Sequence, residues 1–279
     1  MSARIVASTT CLVLVCIGTC RGAILRTVAL SGQQTPGLPA GTAFDEFDYG
    51  LIDSSGQVAF SGNLAGNGVT NQNRESVWIE SSDSLVLAAR AGNQAPGMPV
   101  GVTFKGVGDI ALYSGGQTAF FAALSGGDSP TPTYGVWSGA VGALNPILRG
   151  GDSAPGLSGV TMHFDDEDPM INAVGRTATR VTLHGQGVDD TNDEVIWSNH
   201  LGTPALIVRT GDLAAGTPTG FRYSFIGSLS INSSNQVAFE AALAGGQPDY
   251  WNNKGIWITT GGSTEIVAHS GQPAPGTSD

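Results

Sequence analysis

The sequence predicts an all-β fold, a β-propeller-like array of four four-stranded antiparallel blades, and three observations predict it. Related Gly-x-x-Ala-Pro-Gly turns return at residues 32–37, 92–97, 151–156, 211–216 and 271–276, with starts 60, 59, 60 and 60 residues apart. Trp78, Trp137, Trp197 and Trp257 keep the same step. Between these landmarks apolar residues alternate with period two, and no helical 3.6-residue pattern follows the N-terminal segment.

The chain opens on Arg4 and an apolar run from Cys11 to Ile17, followed by small residues at Gly18, Cys20, Gly22 and Ala23. That order reads as a signal peptide over residues 1–23. The run is shorter than the roughly 20 residues a spanning helix needs, and the mature part contains no transmembrane segment. Ile17-Gly18-Thr19-Cys20 loosely resembles a lipid-anchor site, although Thr19 before the cysteine fits it poorly. Residues 24–279 then form the repeat domain, with units at about 32–91, 92–150, 151–210 and 211–270.

Each unit supplies four strands. The first leads from Phe44, Phe104, Phe164 or the Phe221/Phe225 pair to an apolar position such as Ile52, Leu112, Ile171 or Ile231. A turn of Asn, Asp, Ser and Gly follows, as in Asp53-Ser54-Ser55-Gly56 and Asn232-Ser233-Ser234-Asn235, whose side chains bond nearby amides and tolerate positive φ. The second strand alternates most regularly: Val58 and Phe60, then Thr118, Phe120 and Ala122, then Val237, Phe239 and Ala241 face one way. Ala59, Ala119, Ala178 and Ala238 lie on the opposite face, where a small residue suits close packing on a neighbouring sheet. The third strand carries the tryptophan between β-branched residues, and the fourth runs through Leu85-Val86-Leu87 and its equivalents into the Pro-Gly turn, of type II.

One such unit cannot bury both its faces alone, so the units must pack on each other. The chain after the signal begins with a further copy of the fourth strand, residues 26–30, and Pro275-Gly276 stands where a fifth unit would start. Two arrangements stay open, a closed four-blade ring with one strand to spare and an incomplete ring.

Composition narrows function. All three cysteines, Cys11, Cys16 and Cys20, fall in the signal segment, so no disulfide supports the mature fold. Without Arg4 and Arg21 the chain has 10 basic and 23 acidic residues, a net charge of −13. Such a surface argues against nucleic acid, whose phosphates demand Lys and Arg. The destination read from the signal peptide is extracellular, secreted or at a bacterial cell surface.

The combination of Gly-x-x-Ala-Pro-Gly, Gln57-Val58-Ala59-Phe60 (again at Gln236-Val237-Ala238-Phe239) and Gly255-Ile256-Trp257 resembles an uncharacterised family of secreted bacterial repeat proteins. The likeness covers residues 25–276, and the third copy departs from it with Arg176-Thr177-Ala178-Thr179. It implies a propeller-like fold and an extracellular address. Members of that family often end in a surface-sorting segment, which this sequence does not show, and the resemblance carries no catalytic residues with it.

Oxygen-rich clusters are the candidate sites. Asp45, Glu46 and Asp48 follow Phe44, and Asp165, Asp166 and Asp168 follow Phe164 at like offsets. First strands line a propeller's axis, so these carboxylates could share one space and hold calcium, which takes six to eight oxygen ligands. Asp189, Asp190 and Asp193 lie in an oxygen-rich loop before Trp197; the recurrence of Asn73, Asn192 and Asn252 five residues before each tryptophan favours loop capping there. Arg90, Arg149 and Arg209, each two residues before the turn glycine, are expected to bond a loop carbonyl or carboxylate. The histidines show no zinc spacing. Gly151-Asp152-Ser153 is a turn, since the other copies place Gln, Leu or Pro at the serine position. The expected function is a secreted non-enzymatic scaffold or binding module for an unknown extracellular ligand, polysaccharide or protein. The alternative is a polysaccharide hydrolase or lyase that uses the channel-facing carboxylates as acid and base.

Overall fold

Alternating apolar residues flanked by Asx-type turns close hairpins in series, and the computed structural model shows four such series. It describes residues 25–81, 84–127, 133–164, 169–246 and 253–273. The segment read as a signal peptide lies outside these. Blade 1 is β1 (Thr42–Ile52), β2 (Val58–Gly66), β3 (Glu75–Ser81) and β4 (Ser84–Arg90). Blade 2 is β5 (Thr103–Tyr113), β6 (Gln117–Ser125), β7 (Thr133–Gly139) and β8 (Asn145–Arg149). In blade 3, β9 (Val160–His163) and β10 (Met170–Ile171) both pair with β11 (Thr177–Gly185), which is followed by β12 (Glu194–Ser198) and β13 (Ala205–Arg209). Blade 4 is β14 (Phe221–Ile231), β15 (Val237–Gly245), β16 (Lys254–Thr260) and β17 (Ser263–His269). Every pairing is antiparallel between consecutive strands, apart from β9, which shares β11 with β10. The described residues are all-β, and no helix among them is long and apolar enough to cross a membrane.

The turn chemistry is as the residues require. Asp53 Oδ1 accepts from the Ser55 and Gln57 amides at 2.8 and 2.9 Å. Asn172 and Asn232 do the same at the equivalent turns, and Asn235 takes φ 62°. These turns also meet across blades: Asn172 Nδ2 donates to Asn232 O and Asn235 Oδ1, both at 2.8 Å. Gly97 has φ 74°, the left-handed geometry that the second central position of a type II turn demands.

Packing explains why the tryptophans repeat. All four are at most 1% exposed. Trp137 lies edge-on to Phe104 at 5.0 Å and stacks near Phe120 at 6.4 Å, and Trp257 repeats this with Tyr223 and Phe239. Its indole N–H donates to Pro96 O of the Pro-Gly turn at 3.0 Å, as Trp257 donates to Ala215 O at 2.8 Å. The buried Ala95, Ala154 and Ala214 let each turn close over its blade.

Three blade junctions share one plan. The Phe/Trp side of a blade packs on the β-branched side of the blade before it: Phe104, Phe120 and Trp137 on Val77 and Ala89; Phe164 and Trp197 with Val136 and Leu148; Tyr223, Phe239 and Trp257 on Ile196 and Val208. Each complete first strand has two register shifts, which turn Val107 and Ile226 toward the preceding blade. There Glu75 Oε2 accepts from the Val107 amide at 3.1 Å, and Glu194 Oε2 from the Ile226 amide at 2.9 Å. The array does not close into a ring, since the outer sides of blades 1 and 4 keep apolar residues open to solvent. Residues 26–30, expected as a spare fourth strand, are not a strand; Val28 and Ala29 pack as coil on blade 1.

Candidate functional site

Asp45 and Asp48 are exposed on β1. Asp165, Asp166 and Asp168 lie outside the described residues, so the pairing expected of the two clusters has no counterpart among them. Asp48 instead shares a cleft of about 410 Å³ with Ser61, Gly108 and Asp109 at the junction of blades 1 and 2. Asp109, held at φ 40°, escaped the repeat comparison because blade 2 has Lys105 to Gly108 at the acidic offsets. Among the described residues no three His, Cys, Asp or Glu side chains gather to hold a metal ion.

The loop before Trp197 is organised around its own backbone. Asp189 Oδ1 accepts from the Thr191 hydroxyl at 2.6 Å and the Thr191 amide at 2.9 Å. The hydroxyl bond above all holds this carboxyl below the usual carboxylate range. Asn192 caps the loop through Gly187 O and the Asp189 amide, as Asn73 caps its loop through Gly68 O and the Thr70 amide. Arg209 Nε then donates to Asn192 O, and Arg90 Nε to Asn73 O at 2.7 Å. Arg149 takes a carboxylate instead, with Nη2 2.6 Å from Asp152 Oδ1. The recurrent arginine thus bonds a loop carbonyl or a carboxylate, as its spacing suggested. Glu194, which follows this loop directly, belongs to β12 and its carboxylate joins two blades.

A polar recess adjoins this loop. A cleft of about 570 Å³ between blades 3 and 4 is lined by Asp190, Thr191, Asn192, Arg209, Asp212, Arg222, Tyr223 and Ser224, among others. Arg209 Nη2 is committed to Asn192 Oδ1 at 2.7 Å, and Arg222 Nη1 to Gly211 O at 2.5 Å. Asp212 reaches solvent, yet partial desolvation in the recess raises its carboxyl, with Arg209 and Arg222 opposing the shift. Burial raises the Tyr223 phenol too, whose oxygen accepts from the Ala215 amide at 3.0 Å. Planar guanidinium groups, a partly desolvated carboxyl and short hydroxyl side chains form a surface that can bind hydroxyl- or carboxylate-bearing groups. Sequence spacing missed this recess, since Arg222 and Ser224 have no polar counterpart pair in blade 1, where Ala43 and Asp45 stand.

Two histidine features were also hidden. His163 and His184 stack at 4.7 Å across β9 and β11. His200, 3% exposed, has neither ring nitrogen hydrogen-bonded. Burial depresses its pKa below 6.5. The unfolded chain therefore binds this proton more readily, and the stabilisation present above about pH 6.5 is lost as pH falls toward the lower folded value. His200→Leu should flatten the fall in denaturant midpoint between pH 7.5 and 5.5; an unchanged slope would remove His200 from the pH response.

With the fold and these recesses described, comparison with known proteins becomes informative. The profile of a family of unknown function, DUF7453, matches residues 14–133 and 129–279. The chain belongs to DUF7453. Its two matches meet inside blade 2: the first covers blade 1 with β5 and β6, and the second runs from β7 through blades 3 and 4. No match was found among curated proteins. Among solved structures, the α-L-arabinanase of Penicillium chrysogenum complexed with arabinobiose aligns with a TM-score of 0.34 and 10% identity, over 80% of this DUF7453 chain and 64% of that protein. The chain therefore spans less than two thirds of that protein's length.

Proposed function

We propose that this DUF7453 chain is an extracellular, non-enzymatic scaffold that binds a polysaccharide through the cleft between blades 3 and 4. The observation that carries this reading is the break in the repeat at that place. Elsewhere the recurrent Trp, Asn and Arg residues serve packing and turns, whereas Arg222 and Ser224, which have no like pair in blade 1, join Asp212 around a polar recess next to the capped loop of Asp189 and Asn192. Hydroxyl-rich chains suit such a lining, because their many weak donors and acceptors match guanidinium, carboxyl and amide groups.

Affinity electrophoresis against a panel of neutral and uronic-acid polysaccharides provides the test. At least one should retard the protein, and Asp212→Ala with Arg222→Ala should weaken that retardation at least about tenfold, or about 1.4 kcal/mol. Retention unchanged in the double variant would place the ligand elsewhere. Release of reducing ends by the wild-type chain would overturn the non-enzymatic reading.

A further inference from the structure

Each blade has two unlike sides, and the three internal junctions show what each side is built to meet. On the β-branched side Val77, Val136 and Ile196 are 0% exposed, because the next blade covers them. The fourth copy of that position, Ile256, is 41% exposed, and Val267 beside it 61%. On the Phe/Trp side the position that pairs with the middle of the second strand is Val107 in blade 2 and Ile226 in blade 4, 7% and 0% exposed. Its copy in blade 1 is Phe47, opposite Gly62 and 41% exposed. Blade 4 thus shows an acceptor side that no described residue covers, and blade 1 an inserting side that the described residues Val28 and Ala29 cover only in part.

The charges at these two open sides complement each other. Glu75 and Glu194 stand at the start of the third strand and reach the next blade's first strand. The equivalent residue in blade 4 is Lys254, which is exposed. The first strand of blade 1 is the one whose described residues carry Asp45, Glu46 and Asp48 around the exposed Phe47, where blade 2 has Lys105, Gly106 and Gly108 around Val107. A lysine therefore replaces glutamate on the side whose matching first strand is acidic.

We propose that a second copy of this chain docks its blade 1 on blade 4, with Phe47 over Ile256 and Ala268 and Lys254 facing Asp45, Glu46 and Asp48. The contact continues, between molecules, the junction that the chain repeats three times within itself. It is heterologous, joining two different surfaces, so it leads to closed rings of copies or to open head-to-tail chains. It stands apart from the polysaccharide reading, since neither open side includes the blade 3–4 cleft.

Sedimentation and light scattering on residues 24–279, which include all seventeen strands, test this with two surface variants. The wild-type chain should grow from monomer to dimer and beyond as concentration rises. Ile256→Glu and Phe47→Glu should each be monomeric alone, while their equimolar mixture should form dimers and stop there, because each partner retains one intact side. Lys254→Glu should weaken assembly roughly tenfold by placing like charges together. A near-UV spectrum and melting temperature confirm that each variant is folded, and Val267→Glu replaces Ile256→Glu if that one is not. A monomeric wild-type chain at every concentration overturns the proposal, as does a mixture that behaves like either variant alone. Assembly that survives both variants overturns it as well.

Discussion

Trp137→Ala should lower the free energy of unfolding by about 3–5 kcal/mol, the range for deleting a large buried aromatic side chain. The ring is completely buried, contacts Phe104 and Phe120 within blade 2, and packs with Val77 and Ala89 of blade 1. Its loss opens a cavity at a junction, so blades 1 and 2 should both be weakened, and chemical denaturation followed by circular dichroism reads the total. Tryptophan-to-phenylalanine changes separate the packing from the polar contribution. In Trp137 the change leaves Pro96 O without its 3.0 Å donor. In Trp197 the indole N–H is buried with no acceptor, so phenylalanine removes an unsatisfied group. Trp197→Phe should accordingly cost less than Trp137→Phe by about 1 kcal/mol. Equal losses would mean that the Pro96 bond contributes nothing.

Gly126→Ala should destabilise by about 2–4 kcal/mol, a combined effect of backbone strain and collision. The residue has φ +91°, and a methyl group there would come within 2.2 Å of the Gly101 carbonyl oxygen. The same crossing recurs at Gly66, Gly185 and Gly245, each against a carbonyl that belongs to another glycine, Gly41, Gly159 or Gly220. Gly68 is the control. It has φ +72° but open space around its Cβ position, so Gly68→Ala should cost only about 1–2 kcal/mol for the left-handed conformation. If both substitutions cost the same, the crowding at the second strand's end does not matter for stability.

Much of the architecture was legible because period and chemistry agreed. The tryptophans, the small residues on the second strand and the Asn and Asp turns all repeat at one interval, and each repeats because its role is the same in every blade. Register shifts were not legible. A bulge in β1, β5 or β14 leaves the alternation of apolar residues locally ambiguous, and its purpose, turning Val107 or Ile226 to a neighbour, depends on another blade. The carboxylate of Glu194 went unrecognised for the same reason: in the sequence it follows five other oxygen-bearing residues, 189–193, while in space its partner is an amide 32 positions away. The crowded glycines could have been found, since Gly66, Gly126, Gly185 and Gly245 follow the tryptophan interval. For the site, the neighbours Asp189 and Asp190 differ, since only Asp190 lines the polar recess. Asp189 closes its own turn and Asp190 faces the cleft, a distinction that spacing along the chain does not encode.

The irregular first strands have a bearing on solubility. Among the described residues each blade's sheet ends at one side on its first strand (β9 and β10 in blade 3) and at the other on its last, so each has two edges where a foreign strand could attach. Along β1, β5 and β14 the register shifts interrupt the row of free amides and carbonyls, and no long straight template remains. The opposite edges are short, five to seven residues in β4, β8, β13 and β17, and β8 includes Pro146, which has no amide hydrogen to offer. The distortions that seat one blade on the next thus also blunt the described sheet edges against amyloid-like stacking.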